Sequence, residues 1–243
     1  PSNFNVLKTY VRGQLIAENG KTLIPSVVES TPNLFVAKPI TLDDISVKVN
    51  NGKLKIIEAI DGQLITHLSY ADPLVKNNNV ISNLEQDILK MVVLNRYSPS
   101  KPAVSFIRGF GFKKGAIASS VAHDSHNIIA VGASDQEILE AINLIINEKG
   151  GVSWVKAGEN MVLPLAVAGI MSNKDGFKVA ADYSKIEKRA KELGGLLNAP
   201  FMTLSFMALL VIPEIKLSDR GLFDGNIFAF TDLFESTNSS LKN

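Results

Sequence analysis

Two chain reversals constrain this 243-residue sequence more than any other feature. Asn51-Gly52 and Asp61-Gly62 supply the positive φ that primed hairpin turns require, and they separate three runs, 45–49 (ISVKV), 53–60 (KLKIIEAI) and 63–69 (QLITHLS). The spacing predicts an antiparallel three-strand meander. Upstream, FNVLKTYVRGQLIA places β-branched and aromatic residues on either side of Arg12-Gly13 and predicts another hairpin. A lone hairpin is marginal in water, so this one is expected to complete a sheet whose other strands lie elsewhere. Residues 25–39 carry breakers without a sustained period and read as a linker.

Helical signals follow. Asn77, Asn78 and Asn79 mark a loop, and Asn83 is placed to cap LEQDILKMVVLNRY, where Leu84, Ile88, Met91 and Val92 share a face. Ser134 and Glu137 form a capping box ahead of a stripe at Ile138, Ala141, Ile142 and Ile145, ended by Gly150-Gly151. VSWVKAGENMVLP predicts a hairpin turning at Ala157-Gly158, and 178–193 an amphipathic helix stopped by Gly194-Gly195. The segment 200–213, PFMTLSFMALLVIP, is apolar on all sides and must be buried, as helix or strand. The Ser/Asn-rich end beyond Thr231 is expected to fray. Hairpins mixed with helices, without regular alternation, give an α+β fold of largely antiparallel sheets and several packed helices.

Composition narrows the function. Twenty-five basic against 24 acidic residues give a net charge of +1, too balanced a field to hold nucleic acid or an anionic membrane. The absence of cysteine removes disulfides, thiolate metal sites and a cysteine nucleophile, and suits a reducing cytoplasm. The start has neither a basic n-region nor an apolar h-region, and the longest apolar run, 207–213, is too short to span a bilayer.

Chemistry concentrates in 107–132, IRGFGFKKGAIASSVAHDSHNIIAVG. Strands expected at 103–108, 117–122 and 127–131 leave His123, Asp124, Ser125 and His126 at a strand-to-strand turn. Two imidazoles and a carboxylate suit zinc, manganese or iron; the bland reading is a turn with ordinary hydrogen bonds. Gly109, Gly111 and Gly115 have the spacing G-x-G-x-x-x-G, which fails the dinucleotide pattern, and a strand rather than a helix follows. Tight turns or close strand approach explain them better. Ser119, Ser120 or Ser125 could attack with a neighbouring histidine as base, but no G-x-S-x-G elbow is present. His67 reads as a packed strand residue, and Asp219 and Arg220 as a turn or a pair.

The blocks GFGFKKGAIASSVAHDSHNIIAVG, LPLAVAGIMS, PFMTLSFMALLVIPEIKLSDRGL and VLNRY closely resemble the C-terminal region of the adenine deaminase family, within the amidohydrolase superfamily. The resemblance runs from about residue 40 onward. It implies an α+β C-terminal domain over 40–243, preceded at 1–39 by strands of a small composite β domain and a linker. It further implies a cytoplasmic, homo-oligomeric, metal-dependent hydrolase of purine salvage, converting adenine and water to hypoxanthine and ammonia. In that family a (β/α)-barrel carries manganese, iron or zinc; this sequence has no H-x-H strand and too few histidines for such a site. The chain is therefore expected to be a C-terminal portion, a fragment or half of a divided protein, inactive without its barrel partner. Under this resemblance His123, Asp124 and His126 play a supporting catalytic or accessory-metal role. Gly109, Gly111, Ser119, Ser120 and Ser125 would contact the adenine substrate. Two other readings stand beside it: a non-catalytic ligand-binding or interaction module, and an independent metallohydrolase centred on His123, Asp124 and His126.

Overall fold

A computed structural model describes residues 4–25, 27 and 30–235, and divides the chain between Ser30 and Thr31 into two compact units. The first unit is a small antiparallel sheet in the order β1-β2-β3, with β1 Lys8–Val11, β2 Gln14–Glu18 and β3 Lys21–Thr22. Its hairpin turns at the expected Arg12-Gly13, where both residues have positive φ. Phe4, Val6, Leu7, Tyr10, Leu23 and Ile24 are all exposed in this unit. Part of the expected linker, at residues 26, 28 and 29, and the end expected to fray, at 236–243, lie outside the described residues.

The second unit is built on one eight-stranded sheet. A 3-10 turn at Leu42–Ile45 leads to β4 Leu54–Ala59 and β5 Thr66–Ala71; a small hairpin, β6 Val75–Lys76 and β7 Asn79–Val80, precedes β8 Leu89–Leu94 and β9 Ala103–Arg108. Then come β10 Ala116–Ser119, β11 Ile128–Gly132, helix α1 Asp135–Glu148, β12 Gly151–Lys156 and β13 Glu159–Pro164. Helices α2 Gly176–Lys191 and α3 Pro200–Phe206 precede a last sheet of β14 Ile215–Ser218, β15 Gly221–Asp224 and β16 Ala229–Thr231. The large sheet has the order β13-β12-β10-β11-β8-β9-β4-β5, antiparallel throughout except for the parallel pair β4 and β9. The fold is α+β.

Both faces of that sheet are covered, which explains the apolar strands. Alternate residues Val92, Ala118 and Ala130 face α1, while Val93, Ile117 and Ile129 enter the core shared with α2, α3 and β14. Gly132 lets α1 approach closely: a Cβ there would lie 2.5 Å from Ala116 Cβ and 2.7 Å from Ile138 Cγ1. Ser134 caps α1 as expected, Glu137 N donating to its Oγ, but the second bond differs from a capping box: the Glu137 carboxylate accepts from the Ser134 hydroxyl at 2.7 Å instead of from the backbone N–H.

Two expectations are corrected. The predicted helix LEQDILKMVVLNRY is a turn followed by β8: Asn83 and Ile88 exchange backbone bonds, and Leu89–Leu94 is wholly buried. A strand covered on both faces carries no polar alternation, so Leu84, Ile88, Met91 and Val92 mimicked a helical stripe. The meander reduces to the β4–β5 hairpin. Residues 45–49 contribute the end of the 3-10 turn and a single bridge, Lys48 to Asn79. Thr41 N and Oγ1 both donate to Asp44 Oδ2, 2.7 and 2.8 Å away, and this carboxylate stabilises a helical turn instead of a strand.

Lys90, fully buried on the α1 face of β8, donates to Asp135 Oδ2 at 2.7 Å and to Ile45 O at 3.1 Å. Burial pushes its ammonium below the ordinary lysine value, and Asp135 opposes that shift. Replacing Asp135→Ala strands a buried cation and should cost about 3 kcal/mol in urea unfolding. The double variant Lys90→Met/Asp135→Ala should recover most of that loss, and an equally unstable double variant would show that the pair is not the source.

Candidate functional site

The H-D-S-H segment does form the turn between two strands. β10 ends at Ser119 and β11 begins at Ile128, and between them His126 N donates to Ala122 O at 2.6 Å. His126 takes the left-handed conformation, φ 52°. The turn is docked on α3, since His123 N donates to Ser205 O at 3.0 Å and the His123 ring stacks on Phe206, centroids 5.0 Å apart. The two imidazoles meet edge to face at 5.4 Å. Asp124 and Ser125 are exposed.

Below the turn lies Arg96, 2% exposed. Its Nε donates to His126 O at 2.5 Å, and one terminal nitrogen donates to Ala168 O at 2.8 Å and to the Tyr97 hydroxyl at 2.7 Å. Nη1 is buried without a partner, and packs so closely on Gly169 that a Cβ there would lie 2.5 Å away. The guanidinium also sits over the Tyr97 ring at 4.4 Å and the Phe35 ring at 5.7 Å. Asn127 completes the support, its Oδ1 accepting from Arg96 N and its Nδ2 donating to Ser125 Oγ.

His126 is turned inward. Its Nδ1 is buried without a partner, and burial, then the neighbouring His123 and Arg96, hold its pKa below the ordinary histidine value. His123 instead lines a pocket of about 460 Å³ between the sheet and the two helices that follow it. The sheet contributes Ser119, Val152 and Leu163, α2 contributes Val179 and Tyr183, and α3 contributes Phe201 and Met202. Burial raises the Tyr183 phenol, so its hydroxyl stays neutral.

The other expected site residues separate. Ser119 Oγ accepts from Val121 N at 2.9 Å beside the pocket. Ser120 is fully buried, accepting from Gly151 N at 2.7 Å with Gly169 O 2.5 Å from its hydroxyl, and so serves the frame. Gly109 and Gly111 precede β10 whereas the histidines follow it, at the opposite end of the strand. Gly109 N and Gly111 N both donate to the Asp87 carboxylate, at 2.9 and 2.7 Å, and a Cβ at Gly109 would strike Ala59 O, so close approach accounts for these glycines. Asp87 and Arg96 escaped notice in the sequence because both lie in the segment that reads as a helix. His67 stands 3.6 Å from the Glu214 carboxylate on the exposed edge strand, away from the turn.

Among the described residues no three of His, Asp or Glu gather in a group that could hold a metal ion.

Comparison with known proteins gives a family. Residues 63–229 match the family model described as "Adenine deaminase C-terminal domain". The chain is 46% identical to a Methanosarcina mazei protein named adenine deaminase, over 96% of this chain and 44% of that protein. It is 50% identical to one from Sulfurovum sp., over 95% and 42%, and 46% identical to one from Salinibacter ruber, over 95% and 42%. The chain thus spans less than half the length of these relatives. Among the described residues no helix is long and apolar enough to cross a membrane.

Two outcomes follow from the turn. Arg96→Lys keeps the charge but loses the planar fork, and should destabilise the fold by about 2 kcal/mol and speed amide exchange at residues 122–127; wild-type exchange there would show that Arg96 does not hold the turn. Because His126 is held below the ordinary value, 6.5, the unfolded chain takes up the proton more readily. Stability should therefore fall as pH drops from about 7 to about 5, and His126→Gln should lose that component of the slope in urea midpoints.

Proposed function

The chain belongs to the adenine deaminase family, and from this membership we propose that it is the C-terminal part of an enzyme hydrolysing adenine to hypoxanthine and ammonia. The observation that carries the reading is the family match over 63–229, reinforced by relatives that share nearly the whole chain. The reaction breaks the bond from the ring carbon to its exocyclic amine, forms a carbon–oxygen bond from water, and needs a proton delivered to the leaving amine. The metal implied by the family belongs, on this reading, to a barrel portion and not to the residues of this chain. The first unit supports this assignment, since its three strands leave apolar side chains exposed as a composite sheet would.

Within such an assembly this chain contributes a rigid turn. His123, Asp124 and Ser125 are the groups that the turn offers; Ser205 O accepts from His123 N, Asn127 Nδ2 donates to Ser125 Oγ, and Arg96 holds the next carbonyl, that of His126. Their role is to contact the barrel mouth or the purine edge, in a cytoplasmic enzyme of purine salvage. A non-catalytic interaction module is the second reading, favoured by the internal hydrogen bonding of the turn and by the apolar character of the neighbouring pocket.

The test is ammonia release from adenine with manganese present. The chain alone should be silent, and the remaining portion of a full-length relative such as the Methanosarcina mazei protein should restore turnover. In the restored mixture His123→Ala should lower turnover about tenfold or more, a larger loss than its small drop in melting temperature accounts for. Turnover by the lone chain would remove the need for a barrel, and a silent mixture would leave the interaction module as the better reading.

A further inference from the structure

The pocket beside His123 remains unused by that function. Its walls are apolar and contributed by three elements: Val152 and Leu163 from the sheet, Val179 from α2, and Phe201 and Met202 from α3. The apolar surface does not stop at the rim. Met202 is 51% exposed, and Phe177, next to the pocket-lining Gly176, is 71% exposed. A polar small molecule would find few partners in such walls: Ser119 Oγ already accepts from Val121 N and Ser205 Oγ already donates to Met202 O, which leaves the Tyr183 hydroxyl and the His123 ring as the other polar side chains among mostly apolar ones. An apolar cavity of about 460 Å³, continuous with exposed large side chains, is the form of a socket for protein side chains.

What fills it follows from the comparisons. All the residues lining it fall within 63–229, the stretch shared with the family, whereas more than half of the Methanosarcina mazei relative lies outside the aligned region. We propose that the pocket receives a cluster of apolar side chains from the portion of the longer relatives that lies outside this match. The proposal rests on the family reading above and adds the contact surface. Seating that cluster against Phe201 and Met202 brings the partner onto the same face as the His123 ring, so the docking that buries the pocket also delivers the turn to the partner.

The experiment measures association of the full chain with the remaining portion of the Methanosarcina mazei relative by calorimetry. Met202→Glu places a charge on an exposed rim residue, and Ala180→Trp fills the pocket from an exposed position of α2, so both variants should fold. Each should weaken association about tenfold or more, while Ile227→Glu, at a 68% exposed apolar residue that does not line the pocket, should change it less than about twofold. Association unchanged by both pocket variants overturns the proposal, as does a wild-type chain that does not associate. Self-association of the chain alone that Met202→Glu abolishes assigns the pocket to a second copy and also overturns it. So does N-phenyl-1-naphthylamine, a neutral apolar probe, binding the assembled pair as tightly as the lone chain, since the pocket would then remain open. Ammonia release from adenine, read in the same mixtures, judges the enzymatic reading separately: a pair that associates through the pocket but stays silent retains the socket and loses the deaminase.

Discussion

A buried guanidinium holds the histidine turn and the loops around it together. Arg96 has no carboxylate partner among the described residues, so the cost of removing its charge from water is met by carbonyls, a phenol and two aromatic faces. Burial pushes the group below the ordinary arginine value, yet arginine keeps its proton where lysine could yield it. The backbone of the same residue works in the other direction, its carbonyl accepting from Val36 N and Ala37 N. One residue thus joins the segment before the sheet, the histidine turn and the loop at 168–169. The carbonyl of His126 would otherwise point into a dry interior, and a left-handed residue there is held only if something accepts that geometry's cost.

The sheet beneath imposes the second constraint. Its strands are apolar on both faces, so a charged side chain that enters is stable only with a partner. Lys90 meets Asp135 and Ile45 O on the α1 face. Lys216, 1% exposed in β14, donates to Leu64 O, and burial lowers its pKa to about 8. Ser153 donates to Ala141 O and Ser120 is locked between Gly151 and Gly169, whereas Ser105 Oγ in β9 and Trp154 Nε1 in β12 are buried without a partner. This economy explains why an apparent cluster of nucleophiles at 119–125 resolves into framework residues with a single free face. Adjacent positions on a strand point to opposite sides, so Ser119 reaches the pocket side and Ser120 cannot accompany it.

Legibility in the sequence tracked how local each cause was. The Arg12-Gly13 hairpin, the Ser134 N-cap, the Ala157-Gly158 hairpin and the histidine turn are set by a few neighbouring residues, and all could be read. The α+β class followed from them. β8 could not be read, because burial on both faces erases the alternation that distinguishes a strand from a helix. That one misreading also hid Asp87 and Arg96, whose partners lie at Gly109, Gly111, His126 and Ala168. The pocket was equally invisible: its walls come from residues spread over 119–205, and no periodicity records that a sheet face and two helices converge. What compensated was the resemblance of whole blocks to one family, which registers such long-range agreement without explaining it.

The turn's asymmetry decides what its residues can contribute. Sequence spacing presents His123 and His126 as a pair, but the fold gives them opposite tasks. His126 has a buried Nδ1, a pKa that burial holds below the ordinary histidine value, and a carbonyl tied to Arg96. His123 is anchored through its backbone to Ser205 and stacked on Phe206, which leaves its ring orientation fixed and its edge beside the pocket. A positioned imidazole on a rigid support meets the first requirement for proton transfer or substrate orientation, which is geometry rather than titration. Within the H-D-S-H block, Asp124 and Ser125 are exposed and His123 lines the pocket, while His126 is the residue whose carbonyl Arg96 holds.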